Sequence, residues 1–250
     1  MHEAGYRALG IDWRYVPFAV RSEDLAGALA GMRALGIRGF GVSMPFKLEV
    51  VPLLDALDDL AARIGAVNTI VNDDGKLTGF NTDAEGAARA LEEIAGDLRG
   101  ARCVVLGAGG ASRAVVHGLI ARGASVAVAS RRPEDARALA ASAGASTVAW
   151  EHRADERADI LVNATSAGMD TGSGPGPSPL AGLPLPRSLL VMDIVYKPVE
   201  TSLLADARAA GCRTIRGDRM LLHQAARQLE LYTGRDAPLA AMDAALQTGR

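Results

Sequence analysis

Cysteine is nearly absent from this 250-residue chain: Cys103 and Cys212 stand far apart, each inside an apolar run. That argues against a disulfide framework or a thiolate zinc site and fits a reducing cytoplasm. Histidine is equally sparse. His2, His117, His152 and His223 have no ligand spacing with one another or with cysteine, so no metal is expected. Long hydrophobic runs are missing too. The most apolar stretches, such as Ser188–Tyr196, are far shorter than a bilayer span, and the start carries no basic-then-apolar segment. Neither sign of charge dominates: 27 basic against 29 acidic residues leave a net charge of −2, which gives no broad attraction to nucleic acid or an anionic membrane. What is present is a 49% hydrophobic composition with 28 glycines, enough for a sizeable core, in a length that suits two domains of ordinary size.

From Asp12 onward, short apolar runs alternate with segments of helical period: Trp13–Val20 before Leu25–Leu35, and Ile37–Ser43 before Pro45–Ala62. This is the rhythm of an α/β protein with a parallel sheet. Ala66–Val71 and Leu77–Asn81 read as strands around an Asp-Gly turn, a hairpin expected at a sheet edge. An alanine-rich helix, Ala84–Ile94, ends at Gly96, and a new cycle begins at Arg102. There the pattern predicts strand Cys103–Leu106, helix Ser112–Arg122, strand Ser125–Ala129, helix Pro133–Ser142, a short strand near Thr147 and strand Asp159–Val162, a nucleotide-binding βαβαβ order. The Gly- and Pro-rich stretch Asp170–Pro186 reads as a mobile surface connection. Strand Leu189–Tyr196, helix Thr201–Ala210 and strand Thr214–Arg216 complete the sheet, and helices Met220–Tyr232 and Pro238–Leu246 are assigned back to the first domain. The expected division is 1–83 with 218–250 for one domain and 84–217 for the other. No internal repeat is visible.

The strand ending at Leu106 runs through Gly107-Ala108-Gly109-Gly110-Ala111 into a helix. Glycine lets the backbone approach a pyrophosphate, while the helix N-terminus supplies unpaired N–H donors and partial positive charge. A tight turn can need glycine for steric reasons alone, but the flanking elements favour a dinucleotide. At the end of the next strand, where an NAD site carries a carboxylate, the chain has Ser130-Arg131-Arg132. Arginine offers a 2′-phosphate hydrogen bonds of about 1.5 to 3 kcal/mol each, so NADP is the expected cofactor. The ordinary alternative is a solvated basic helix start, although cations are unfavourable there unless an anion is near.

In the first half, Lys47 is expected in the first turn of a helix opening at Pro45, where it has an equally good reading as a surface lysine. Asn68 interrupts an apolar strand and needs partners. Asp83 precedes a helix and could be a simple N-cap. Singly, each has a structural explanation.

Together and in order, these features resemble the shikimate dehydrogenase family over nearly the whole chain. The resemblance rests on Val42-Ser43-Met44-Pro45-Phe46-Lys47, Ala66-Val67-Asn68-Thr69, Asn81-Thr82-Asp83, the glycine turn, Asn163-Ala164-Thr165-Ser166-Ala167-Gly168-Met169, Asp193-Ile194-Val195-Tyr196-Lys197-Pro198 and Gly217-Asp218-Arg219-Met220-Leu221-Leu222-His223-Gln224-Ala225. It implies an N-terminal substrate-binding α/β domain, a Rossmann NADP-binding domain and an active site in the cleft between them. The implied activity is reversible NADP-dependent hydride transfer between shikimate and 3-dehydroshikimate, in a monomer or homodimer whose partner is a small hydroxylated ring acid. By the same resemblance Lys47 and Asp83 are the catalytic pair, and Ser43, Asn68, Tyr196 and Gln224 line the polyol pocket. Gly107, Ala108, Gly109, Gly110, Ala111, Ser130, Arg131, Arg132, Thr165, Ile194 and Gly217 serve the cofactor. An ammonium beside the reacting oxygen makes chemical sense, because ketone reduction builds negative charge there and needs a proton. His223 is expected to pack near the pocket rather than to catalyse.

The family pattern normally opens with a strand and a Ser-x-Ser-Pro loop that holds the substrate carboxylate, whereas this chain opens at Met1-His2-Glu3, inside the helix that follows. The expectation is a sequence shortened from a longer natural protein, because a sheet without a central strand leaves unpaired backbone groups. Gly41 and Ser43 stand where the pattern usually has asparagine and threonine, so quinate or another hydroxylated ring acid remains an alternative substrate. An NADP-binding module with little turnover is the alternative from outside catalysis.

Overall fold

The computed structural model describes residues 1–154, 157–170, 172, 174 and 176–248. The chain divides into two compact units, one formed by Met1–Thr82 with the residues from Gln224 onward, the other by Asp83–His223.

The first unit opens with α1 (His2–Ala8) and α2 (Leu25–Ala34). It then forms β1 (Gly39–Gly41), β2 (Ala56–Leu57), α3 (Asp59–Ile64), β3 (Thr69–Asp73) and β4 (Lys76–Phe80). The sheet order is β1-β3-β4-β2. Only β2 and β4 run parallel; the other pairs are antiparallel, which corrects the expectation of a parallel sheet here. The β3–β4 hairpin turns through Asp74 (φ 50°) and Gly75 (φ 90°), the positive-φ pair that matches strand twist in a two-residue turn. It lies at the centre of the sheet rather than its edge, because short β1 and β2 flank it. Leu29, Met32, Val67, Ile70 and Leu77 form the core beneath it.

Two sequence expectations fail in this unit. Trp13–Val20 is not a strand: its side chains are largely exposed, and no strand among the described residues gives it a ladder, so its β-forming composition goes unused. The apolar period over Pro45–Ala62 does not make one helix. Residues 44–50 are turns, Val51–Leu53 a short 3-10 turn, and β2 then intervenes. Asp55 exchanges backbone and carboxylate bonds with Leu77 at 3.0 and 2.6 Å, and Asp58 starts a new helix by accepting from Ala61 N at 2.8 Å. Sheet pairing and a local cap overrule the period.

In the second unit come α4 (Thr82–Ala95), β5 (Arg102–Leu106), α5 (Gly110–Ala121), β6 (Ser125–Ala129), α6 (Pro133–Ala143), β7 (Ser146–Thr147), β8 (Ile160–Asn163), β9 (Leu190–Asp193), α7 (Ser202–Ala209) and β10 (Arg213–Ile215). The sheet, ordered β10-β9-β8-β5-β6-β7, is parallel throughout and reverses direction of winding between β5 and β8. Its central strands β5, β8 and β9 are buried on both faces. Cys103 and Val105 enter one apolar cluster with Leu91, Leu119 and Leu139, while Val104 and Leu106 enter another with Leu161, Leu203 and Val191. That two-sided burial explains the near-continuous apolar strands. Of the connection expected over Asp170–Pro186, Thr171, Ser173 and Pro175 lie outside the described residues. The chain continues through α8 (Gly217–Thr233) and α9 (Leu239–Thr248). The start of α8 groups with the second unit because Met220 joins its core and Arg219 and His223 both pair with Glu93.

Candidate active site

The glycine turn owes its shape to close backbone contacts on one side and open space on the other. Gly107 has φ +106°, and a Cβ there would lie 2.7 Å from Ser112 Oγ and 3.0 Å from the Ala164 carbonyl. Gly109 and Gly110 have open space where a Cβ would stand, with nothing within 4 Å beyond their own neighbours in the chain and helix. Gly109 precedes α5 with no side-chain cap, so the first N–H groups of a twelve-residue helix face an open cradle. Buried Ser112 fixes the floor by donating to Ala164 O at 3.0 Å. The sequence reading assigned Ser112 no role. This donor set, with its partial positive charge, fits a dinucleotide pyrophosphate.

Ser130 follows β6, and its hydroxyl accepts from the Arg132 N–H at 3.2 Å. The Arg132 guanidinium pairs with Asp135 one turn into α6, whereas Arg131 is exposed and makes no ion pair among the described residues. Ile194 is half-buried against the core of the second unit and Gly217 is buried. A Cβ on Gly217 would come within 2.5 Å of both Ile194 O and Val195 O, so only glycine lets these segments touch. Thr165 donates through its N–H (3.1 Å) and hydroxyl (2.7 Å) to Asn163 Oδ1. Tyr196 is exposed at the end of the same segment as Ile194.

In the first unit, the turns carrying Ser43 and Lys47 are tied to the strand carrying Asn68: Val42 N donates to Asn68 O at 2.7 Å, and Val67 N donates to Lys47 O at 2.8 Å. Ser43 is exposed and Lys47 half-buried, in a turn rather than in the first turn of a helix. Asn68 is 2% exposed. Its Oδ1 accepts from Thr82 N at 2.7 Å and Thr69 Oγ1 at 2.9 Å, and its Nδ2 donates to Thr82 Oγ1 at 3.0 Å. Gln228, on α8, closes this cluster by donating to Thr69 Oγ1 at 3.0 Å and Asn68 O at 3.3 Å. Sequence reasoning missed Gln228, although it stands one helical turn beyond the half-buried Gln224. Asp83, half-buried, follows Thr82 in the chain and belongs to the first turn of α4 instead of preceding it.

His223 is buried, with Nε2 2.8 Å from Glu93 Oε1. Burial works to raise the Glu93 carboxyl, but hydrogen bonds from Arg219 and His223 hold it below its usual range. His117 is buried on α5. Among the described residues no group of three His, Cys, Asp or Glu could hold a metal ion, and no helix is long and apolar enough to cross a membrane.

Residues 1–70 match the substrate binding domain of shikimate dehydrogenase, residues 89–170 match shikimate/quinate 5-dehydrogenase, and residues 219–247 match the C-terminal domain of shikimate 5′-dehydrogenase. The chain is 46% identical to the shikimate dehydrogenase (NADP(+)) of Moorella thermoacetica, covering 99% of this chain and 87% of that one. Among solved structures it is similar to the shikimate 5-dehydrogenase of Thermus thermophilus in complex with NADP(H) and shikimate, with a TM-score of 0.89, 36% identity and coverage of 100% and 93%. It is nearly as similar to the quinate dehydrogenase of Corynebacterium glutamicum in complex with NAD, with a TM-score of 0.88, 34% identity and coverage of 99% and 92%. The chain belongs to the shikimate dehydrogenase family.

Proposed function

We propose that this protein is an NADP-dependent shikimate dehydrogenase, interconverting shikimate and 3-dehydroshikimate. The observation that carries the reading is the open glycine cradle at the start of α5 together with Arg131 just after β6, which makes no ion pair among the described residues, in a chain whose curated relatives bear that name over nearly its full length. NADP supplies the hydride acceptor or donor when bound. The α5 N–H groups would hold its pyrophosphate, and Arg131 would hold the 2′-phosphate that a carboxylate would repel. Lys47 donates the proton to the reacting oxygen during reduction and takes it back during oxidation, and its positive charge stabilises the oxygen as charge builds. Asp83 is assigned as the carboxylate member of the catalytic pair. Ser43, Gln224 and Tyr196 offer hydroxyl and amide groups to the ring hydroxyls. Asn68 lines the same pocket, with its amide held by Thr82 and Thr69.

Quinate is the second reading, favoured by the near-equal likeness to a quinate dehydrogenase. Steady-state kinetics with shikimate and quinate, each against NADP+ and NAD+, tests both. The highest kcat/KM is expected for shikimate with NADP+; a preference for quinate would replace the substrate assignment.

A further inference from the structure

Asp193 is a fully buried carboxylate for which the proposed chemistry has no use. It closes β9 after the apolar, buried run Leu190, Val191 and Met192. Among the described residues it forms no ion pair. Its Oδ1 accepts from Asn163 Nδ2 at 2.9 Å and Val195 N at 3.1 Å, and its Oδ2 accepts from Thr201 Oγ1 at 2.7 Å. Burying a carboxylate without a cation is costly, so an apolar residue would serve packing alone better.

Asp193 and Asn163 are register partners at the C-terminal ends of adjacent parallel strands, β9 and β8. Ligands of open parallel sheets bind beyond such ends. An ionised carboxylate can only accept, so it compels the Asn163 amide to point Nδ2 toward it. Asn163 Oδ1 is thereby turned to Thr165, whose N–H and hydroxyl it accepts, while Nδ2 also reaches Ala167 O at 3.1 Å. With the amide reversed, the Thr165 N–H would face an NH2 group. Through Val195 N and Thr201, the same carboxylate fixes both ends of the segment that begins at Ile194.

We propose that Asp193 is a positioning residue of the dinucleotide site, using an acceptor-only carboxylate to set the flip of Asn163 and hence the placement of Thr165 and Ile194. This rests on the NADP reading above. Burial pushes the Asp193 carboxyl up, and the bonds from Thr201, Val195 and Asn163 oppose that rise.

The test uses Asp193→Asn, in which an amide of the same shape no longer dictates the direction of Asn163, and measures NADP+ affinity by titration calorimetry alongside the thermal midpoint. The Kd for NADP+ should rise about tenfold. The apo-state amide resonances of Thr165 and Ala167 should shift, while those of Gly109 and Gly110 stay in place. If D193N fails to fold, Thr201→Val and Thr201→Ser decide: the valine variant should weaken NADP+ binding several-fold and the serine variant, which keeps the hydroxyl, should restore it. A lowered midpoint with unchanged NADP+ affinity in the folded variants would make Asp193 merely structural and overturn the proposal. Wild-type protein that does not bind NADP+ at all would instead overturn the cofactor reading on which it rests.

Discussion

Each unit places a buried polar cluster beside its candidate site residues, and the two clusters are built from different chemistry. In the first unit Asn68, Thr69, Thr82 and Gln228 are all neutral and satisfy one another. In the second, Asn163, Thr165 and Thr201 are organised around the Asp193 carboxylate. A neutral cluster can be satisfied by more than one pattern of donors, so its geometry depends on packing. A carboxylate admits a single pattern, so it imposes direction on its neighbours at the cost of burying charge. The first arrangement suits a pocket that must match a ring of hydroxyls, and the second suits a loop that must be fixed whether or not ligand is present.

The sharpest way to separate the two units is Lys47→Ala. If the first unit carries the chemistry and the second the cofactor, kcat should fall by about 10² to 10⁴ while NADP+ affinity measured by titration hardly moves. Near-normal kcat would reduce Lys47 to a surface charge. Gly107→Ala attacks the other side. Its positive φ and the 2.7 Å approach to Ser112 Oγ predict a loss of about 1–3 kcal/mol in stability, with weakened NADP+ binding, readable by denaturant titration and calorimetry. Arg131→Ala should cost NADP+ about tenfold in Kd and leave NAD+ unchanged; equal losses for both would remove the basis for cofactor choice. Gln228→Leu should destabilise by about 1 kcal/mol, by removing the amide donor shared by Thr69 Oγ1 and Asn68 O and leaving the latter with Val42 N alone, and should raise KM for substrate more than it lowers kcat.

The smallest effect is in pH dependence. Because the folded state raises the Asp193 pKa, it binds the proton more tightly than the unfolded chain does. Stability contributed by that site is therefore present below the usual carboxylate range and declines as pH rises through the shifted value. Comparing the pH dependence of unfolding for wild type and Asp193→Asn isolates this decline, which should vanish in the variant. The neutral cluster of the first unit should add no slope of its own over the same range.

The second unit was the more legible in sequence, for a physical reason. Strands buried on both faces must be apolar throughout, and the turn after β5 must be glycine because Ser112 and Ala164 leave no room at Gly107. The first unit's short strands lack that signature. Trp13–Val20 has the composition of a strand but no ladder, and the apolar period of Pro45–Ala62 is broken by pairing with Leu77, a contact between residues distant in sequence. The candidate residues in the motifs could be named from their order, but their partners could not. Gln228 stands outside the motif that ends at Ala225, and the bonds joining Asn163 to Asp193 depend on a strand register that no local pattern states.

The most direct test of the account is the initial rate of nicotinamide reduction by the purified chain with shikimate or quinate and NADP+ or NAD+, for wild type and Lys47→Ala. The account predicts that shikimate with NADP+ gives the highest kcat/KM and that Lys47→Ala removes turnover while retaining NADP+ binding. Preference for quinate with NAD+, or undiminished turnover without Lys47, would contradict it.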